Sequence, residues 1–247
     1  KEEPTTKKTD YSDLLFQLLE RDSTLIFDSI PEINFITYSD TSNYINIVNN
    51  QETHKINIGE IAAYTTTDFI SFTYNKTTLN NFKTHLKNNN KSQDWDSINK
   101  SLRTTNKFSL NELSIYINEI GLFSSSKSSC YYLKSDEAYN IESQLSLLKD
   151  SSSFRNDKEG SFNKIIIGDL FNLLAGRLFT ENKNHYINIG DYFIFSSDTA
   201  KLNYIRISYE EGNTLNNNPV YKEYLDKQFS YYCLNYYSNT ENNTDSL

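Results

Sequence analysis

Two stretches of this chain keep step with each other. Aligning Asp68-Phe69-Ile70-Ser71-Phe72 with Asp191-Tyr192-Phe193-Ile194-Phe195 sets a register that runs without a gap through Leu79/Leu202, Phe82/Ile205, Leu86/Tyr209, Ile98/Tyr221 and Leu102/Leu225. Upstream, Lys55-Ile56-Asn57-Ile58-Gly59 echoes Tyr186-Ile187-Asn188-Ile189-Gly190, and downstream each stretch is expected to close on an aromatic-rich strand, Leu113 to Ile117 and Cys233 to Tyr237. Self-similarity at a fixed offset is the mark of repeated architecture. The expectation is an α+β protein of two diverged β-β-α-α-β units, with mixed or antiparallel sheets and helices packed on one face. The halves are expected at 11–125 and 126–240, divided near Ser124 to Ser129, with a disordered tether at 1–10 and a disordered tail at 241–247.

Local signals fill in the unit. Residues 184–189 and 192–196 are rich in β-branched and aromatic side chains, and Gly190-Asp191 between them reads as a two-residue hairpin turn. Ser197 or Asp198 is a candidate N-cap for a helix carrying Leu202, Ile205, Ile207 and Tyr209, which Gly212 stops. Pro219 suits the first turn of a second helix with Val220, Tyr221, Tyr224 and Leu225; Asp94, Trp95, Ile98 and Leu102 play that part in the first unit. Cys130 to Leu133 is strand-like, Ser135 to Lys149 is a helix with a capping-box-like start at Ser135, and Ile165 to Ile167 is a short buried strand. Asp169 to Phe179 has the strongest helical stripe, in Leu170, Phe171, Leu173, Leu174 and Leu178. An opening helix is expected at Tyr11 to Leu19, with strands near Leu25 to Phe27 and Tyr44 to Val48.

Composition decides whether such units can bury a core. The hydrophobic share is 37% of 247 residues, below the ~45–50% usual for soluble domains. Nineteen Tyr and fifteen Phe compensate, because each aromatic ring buries a large area. Only 7 Gly and 3 Pro are present, so the chain is no low-complexity linker. The Asn excess, including Asn88 to Asn90 and Asn216 to Asn218, fits an AT-rich coding bias and loop positions.

A net charge of −8 and a pI near 5.0 argue against nucleic acid, which demands clustered Lys and Arg. No apolar run approaches the ~20 residues that span a bilayer. Cys130 and Cys233 have no metal-ligand spacing and read as buried thiols, bridged only if their strands are neighbours. The chain lacks Met, and the charged, Thr-rich Lys1 to Asp10 reads as a tether left after a signal segment is removed, or as an arbitrary boundary.

Ile167-Gly168-Asp169-Leu170-Phe171, Gly190-Asp191-Tyr192-Phe193-Ile194-Phe195 and Gly212-Asn213-Thr214-Leu215 together carry a resemblance. Over about residues 130–237 the pattern is similar to an uncharacterised family of Bacteroidetes-type cell-envelope proteins, a domain of unknown function. In the first half Asn88 to Asn90 replaces the "gly-asn-thr-leu" signature. The resemblance implies an extracytoplasmic place, in the periplasm or on the surface, behind an N-terminal anchor or lipidation signal and ahead of a propeller-like part. It brings no catalytic residue with it.

Catalytic constellations are sparse. His54, His85 and His185 fall at no ligand spacing, and no H-E-x-x-H, G-x-S-x-G or P-loop pattern occurs. Asp68 and Asp191 could be imagined as paired carboxylates, but each precedes a strand, where Asp favours the turn. Glu210-Glu211 reads as a solvated helix end. The binding-surface candidates are Tyr231, Tyr232, Tyr236 and Tyr237, since Tyr is enriched at interfaces and packs equally well into sheets. The expected function is a non-catalytic binding or scaffold protein without cofactor or metal. Its partner would be a protein or an envelope polymer, and it would meet a membrane only through an anchor outside this chain. The alternative is an envelope-glycan hydrolase using two carboxylates.

Overall fold

A computed structural model describes residues 32–38, 42–48, 57–66, 68–72, 92–125, 128–150, 162–175, 179, 181–227 and 234–239. The strands are β1 (Glu32–Tyr38), β2 (Ser42–Val48), β3 (Asp68–Phe72), β4 (Glu119–Ser125), β5 (Ser128–Lys134), β6 (Asn163–Lys164), β7 (His185–Ile189), β8 (Tyr192–Ser196) and β9 (Leu234–Asn239). The helices are α1 (Ser92–Asn106), α2 (Leu110–Ile115), α3 (Ala138–Ser146), α4 (Leu170–Ala175), α5 (Thr199–Glu210) and α6 (Pro219–Lys227), with 3-10 turns at Ile58–Glu60 and Leu215–Asn217. All strands join one antiparallel sheet in the order β1-β2-β9-β3-β4-β5-β8-β7-β6. The α+β class therefore holds.

The sheet is covered on both faces over β4, β5, β8 and β7. Tyr131, Leu133, Phe193, Phe195 and Tyr186 point into one core with α2, α3 and α4. Cys130, Tyr132, Tyr192, Ile194 and Ile187 point into a second core with α5, α6 and the two 3-10 turns. Helices on one face, the sequence expectation, are thus corrected to helices on both. The physical cause is written in the strands: Tyr192 to Ser196 is buried at every position, and a sheet that shows apolar residues on both faces must have both covered.

Local chemistry places the elements of the second half. The turn Gly190-Asp191 joins β7 to β8, with Gly190 at φ +57° and Ile189 paired to Tyr192. Asp198 caps α5, accepting from the Ala200 amide at 2.9 Å. Gly212 at φ +71° ends it in a Schellman arrangement, its amide donating to Tyr209 and that of Asn213 to Ser208. Asn218 caps α6 through Oδ1, which accepts from Val220 and Tyr221, and Pro219 takes the first helical position.

Other expectations shift. Leu113 to Ile115 is helix, not strand, because Ser109-Leu110-Asn111-Glu112 starts α2 with Ser109 Oγ accepting from the Glu112 amide. The strand of that region is β4, which begins at Glu119. The described part of the echo also differs in structure: Ile58 and Gly59 begin a 3-10 turn, whereas their counterparts Ile189 and Gly190 end β7 and start the hairpin turn. Ile98 is exposed where Tyr221, its counterpart in register, is wholly buried. The two-copy unit is therefore not confirmed by the structure. Ser135 does not cap α3 directly; its hydroxyl accepts from the Glu137 amide one turn earlier. Ile165 is buried but Ile166 is exposed, and the strand there is Asn163–Lys164. Helix α4 ends before Phe179, which packs in the core from outside it.

The expected boundary at Ser124 to Ser129 is the β4–β5 hairpin, with Ser125 opposite Ser128. From the other half of the chain, β9 enters the sheet between β2 and β3. Residues 1–31 and 240–247 lie outside the described residues, and so do the expected first helix, the strand near Leu25 and both terminal segments. No helix among the described residues is long and apolar enough to cross a membrane.

Candidate functional site

Residues 57–66 form a strap over the second core. Ile58, Ile61, Ala62 and Ala63 are buried, and Ala63 bridges to Thr214. The Gly59 backbone lies against the Tyr221 ring, and its amide donates to the Tyr221 hydroxyl at 3.1 Å. Only glycine fits: a Cβ there would stand 2.2 Å from Tyr221 Cε1.

Beneath the strap's first turn sits a polar centre. Alternation along β4 puts Glu119 on the same face as Phe123, and cross-strand pairing sets it opposite Lys134. The Tyr132 hydroxyl donates to Glu119, which is only 5% exposed. Burial is the largest influence on that carboxyl and Glu60 adds to it, raising it to about 7 against the opposing effects of Tyr132 and Lys134. On β8, Tyr192 donates to the Asn57 carbonyl at 3.1 Å and to Glu60 Oε2 at 3.2 Å. Lys134 Nζ lies 4.9 Å from the centre of the Tyr192 ring. Burial, then the carboxyls of Glu119 and Glu60, hold the Tyr192 hydroxyl far above the usual phenol range, so it stays protonated and donates. Glu60 and Glu119 thus gather around Tyr192, one exposed and one buried.

A second charged group is built into the other face. Lys183, 1% exposed, packs its ammonium over Tyr131 at 5.2 Å and bonds to Glu181. Glu181 accepts in turn from Ser129 Oγ at 3.1 Å. The lysine, first, and that serine hold the Glu181 carboxyl below its usual range, against a partial opposing effect of burial. Stability from this pair is therefore present above the unfolded carboxyl pKa and is lost as pH falls through the lower folded value. Lys183→Met should keep the packing of the stem and stay within about 1.5 kcal/mol of the parent, since an apolar replacement also removes the cost of burying the ammonium, and the exposed Glu181 is left in water. Glu181→Gln should cost more, because it strands the ammonium. Urea melts at neutral pH compare the two, and an acid limb that persists unchanged in Lys183→Met would refute the assignment.

The residues expected from sequence fare differently. Asp68 and Asp191 are not brought together: β4 and β5 stand between β3 and β8, and the two residues lie at opposite ends of the strands. That separates them by roughly 14 Å across the sheet and about 20 Å along it, too far for any glycosidase pair. Glu210 and Glu211 are exposed at the end of α5. His185 is half-buried on β7, its pKa lowered by burial and then by Lys164; His54 and His85 lie outside the described residues. Cys130 is a buried free thiol, its pKa raised to about 11 mainly by burial. β5 and β9 are not neighbours in the sheet, and Cys233 lies outside the described residues.

Tyr231 and Tyr232 fall outside the described residues. Tyr236 and Tyr237 are on β9, an interior strand, with backbones paired to Ile45 and Ile70, and to Tyr44 and Phe69. Sequence reading missed Glu119, although it is the only charged residue between Leu113 and Phe123, a visible oddity in an apolar run. Among the described residues no three His, Cys, Asp or Glu side chains are placed to hold a metal ion. No family model matches the chain, and no curated protein or solved structure is significantly similar to it.

Proposed function

We propose that this chain is a non-catalytic binding or scaffold protein acting outside the cytoplasm, its partner a protein or an envelope polymer. One observation carries the non-catalytic reading: the two carboxyl groups that do converge, Glu60 and Glu119, are engaged by the Tyr192 and Tyr132 hydroxyls. A general acid must reach the substrate it protonates. Glu119 is instead covered by its own sheet and strap, so the pair works as internal fastening.

The hydrolase alternative draws its support from the same place, because a buried carboxyl with a raised pKa beside a second, exposed carboxyl is the kind of pair glycosidases use. Sedimentation of the purified chain with peptidoglycan or other envelope polysaccharide separates the two readings. The expected result is co-sedimentation or no association, in either case without release of reducing ends. Release of reducing ends that Glu119→Gln abolishes would overturn the non-catalytic reading in favour of the hydrolase.

A further inference from the structure

The two ends of the strap differ in what lies beneath them: the C-terminal end is held by backbone bonds and by an exposed Thr65–Tyr204 hydroxyl contact at 3.3 Å, the N-terminal end by phenol hydroxyls next to a buried carboxyl. At its C-terminal end, the Tyr64 amide donates to the Asn213 carbonyl at 2.9 Å and the Leu215 amide to the Ala62 carbonyl at 2.8 Å. Neither bond involves a group that titrates. At its N-terminal end the strap hangs on phenol hydroxyls, with Tyr192 donating to Asn57 and Glu60, and Tyr221 to Asn57 Oδ1 at 3.3 Å. Glu119 connects to that end through two rings: its partner Tyr132 lies against Tyr192, ring centres 6.1 Å apart, and the Tyr192 hydroxyl bonds to Glu60.

We propose that Glu119, Glu60, Tyr132 and Tyr192 form a pH-operated latch, which holds the Asn57–Glu60 end of the strap on the sheet while Glu119 is protonated and releases it when Glu119 ionises. The charged and titratable groups facing Glu119 are Tyr132 and Lys134 from β5, Tyr192 from β8 and Glu60 from the strap, with Tyr221 of α6 behind Tyr192. Lys134 is the one cation in this set. An ionised Glu119 would sit buried, facing a second carboxylate across one ring, and lifting the strap relieves both burdens by admitting water and moving Glu60 away.

The sign follows from proton counting. In the closed state the Glu119 carboxyl titrates at about 7, and once hydrated it returns toward 4.5. The closed state therefore binds more protons between these values, is favoured at low pH and is weakened as pH rises through 7. Between about pH 5 and about pH 8.5 the opening equilibrium should rise roughly 30- to 100-fold. This device goes beyond the binding reading and stands without it.

Amide hydrogen exchange of the whole chain, corrected for the intrinsic pH dependence of exchange, reads the latch directly. The amides of Gly59 and Ala62, hydrogen-bonded to Tyr221 and Ile58, should lose protection with a midpoint near 7. Those of β8 should not. Glu119→Gln should flatten the profile. Glu60→Gln removes a like charge and should lower the midpoint, while Lys134→Gln removes the opposing cation and should raise it. Glu60 is exposed and Lys134 half-buried, so this opposed pair decides the matter even if Glu119→Gln fails to fold. The proposal is overturned if strap protection is constant from about pH 5 to about pH 9, if both charge variants shift the midpoint the same way, if Glu119→Gln keeps the parent profile, or if β8 opens together with the strap.

Discussion

Phe195→Ala is expected to destabilise the protein by about 3–5 kcal/mol, the range of buried Phe truncations. Phe195 is wholly buried on β8. Its ring meets Phe171 edge-on at 4.9 Å and stacks on Tyr186 at 5.2 Å. It thereby ties α4 to β7 and β8 in the core that also holds Tyr131 and Phe179. Truncation removes the apolar area, leaves a cavity and forfeits two aromatic pairs, each worth about 0.5–1.5 kcal/mol beyond area. A loss of this size approaches the whole stability of many domains. Denaturant melts should show a lower midpoint at an unchanged slope. Tyr209→Ala, at an exposed position on α5, is the control and should stay within about 0.5 kcal/mol. A Phe195→Ala cost below about 1 kcal/mol would mean that α4 does not close this face of the sheet.

Gly59→Ala carries the second large effect, for a steric reason. A methyl at that position would lie 2.2 Å from Tyr221 Cε1 and 2.5 Å from Asn216 Oδ1. Tyr221 cannot swing away cheaply, because its ring is fully buried against Tyr224 at 5.4 Å and its hydroxyl is bonded to the strap. The strap or α6 has to move, at a cost of about 1–3 kcal/mol or more, as overpacking does. A double-mutant cycle identifies the cause. In a Tyr221→Leu background, which has no ring carbon at that point, Gly59→Ala should lose at least half of its effect. Equal penalties in both backgrounds would place the strain elsewhere. Gly190, the residue matched to Gly59 in the sequence echo, is favoured for the opposite reason: a Cβ there would meet nothing within 4 Å, and its φ of +57° is what disfavours a side chain. Two glycines that align in sequence thus answer different demands, which is why the echo does not make the two segments structural equivalents.

The elements set by neighbouring residues were legible in the sequence. The Gly190-Asp191 turn, the Asp198 cap, the Gly212 stop and the Pro219 start each satisfy backbone groups within a few residues, so the sequence alone specifies them. The helix α2 was legible too, in Ser109 and Glu112, but an apolar alternation from Leu113 to Ile117 competes with that signal, and the cap prevails. Tertiary structure decided the rest. That both faces of β8 are covered, that β9 enters between β2 and β3, and that the strap closes over Glu119 all depend on partners far away in the chain. The Tyr192 hydroxyl reaches across 135 positions to Asn57. Such pairings are chosen by which surfaces can be buried together, a property of the assembled layers that no local window contains. Glu119 shows the limit most clearly: its sequence marks an acid in an apolar run, and only its burial in the assembled layers, with the approach of Glu60, makes it titrate near neutrality against the opposing Tyr132 hydroxyl and Lys134 charge.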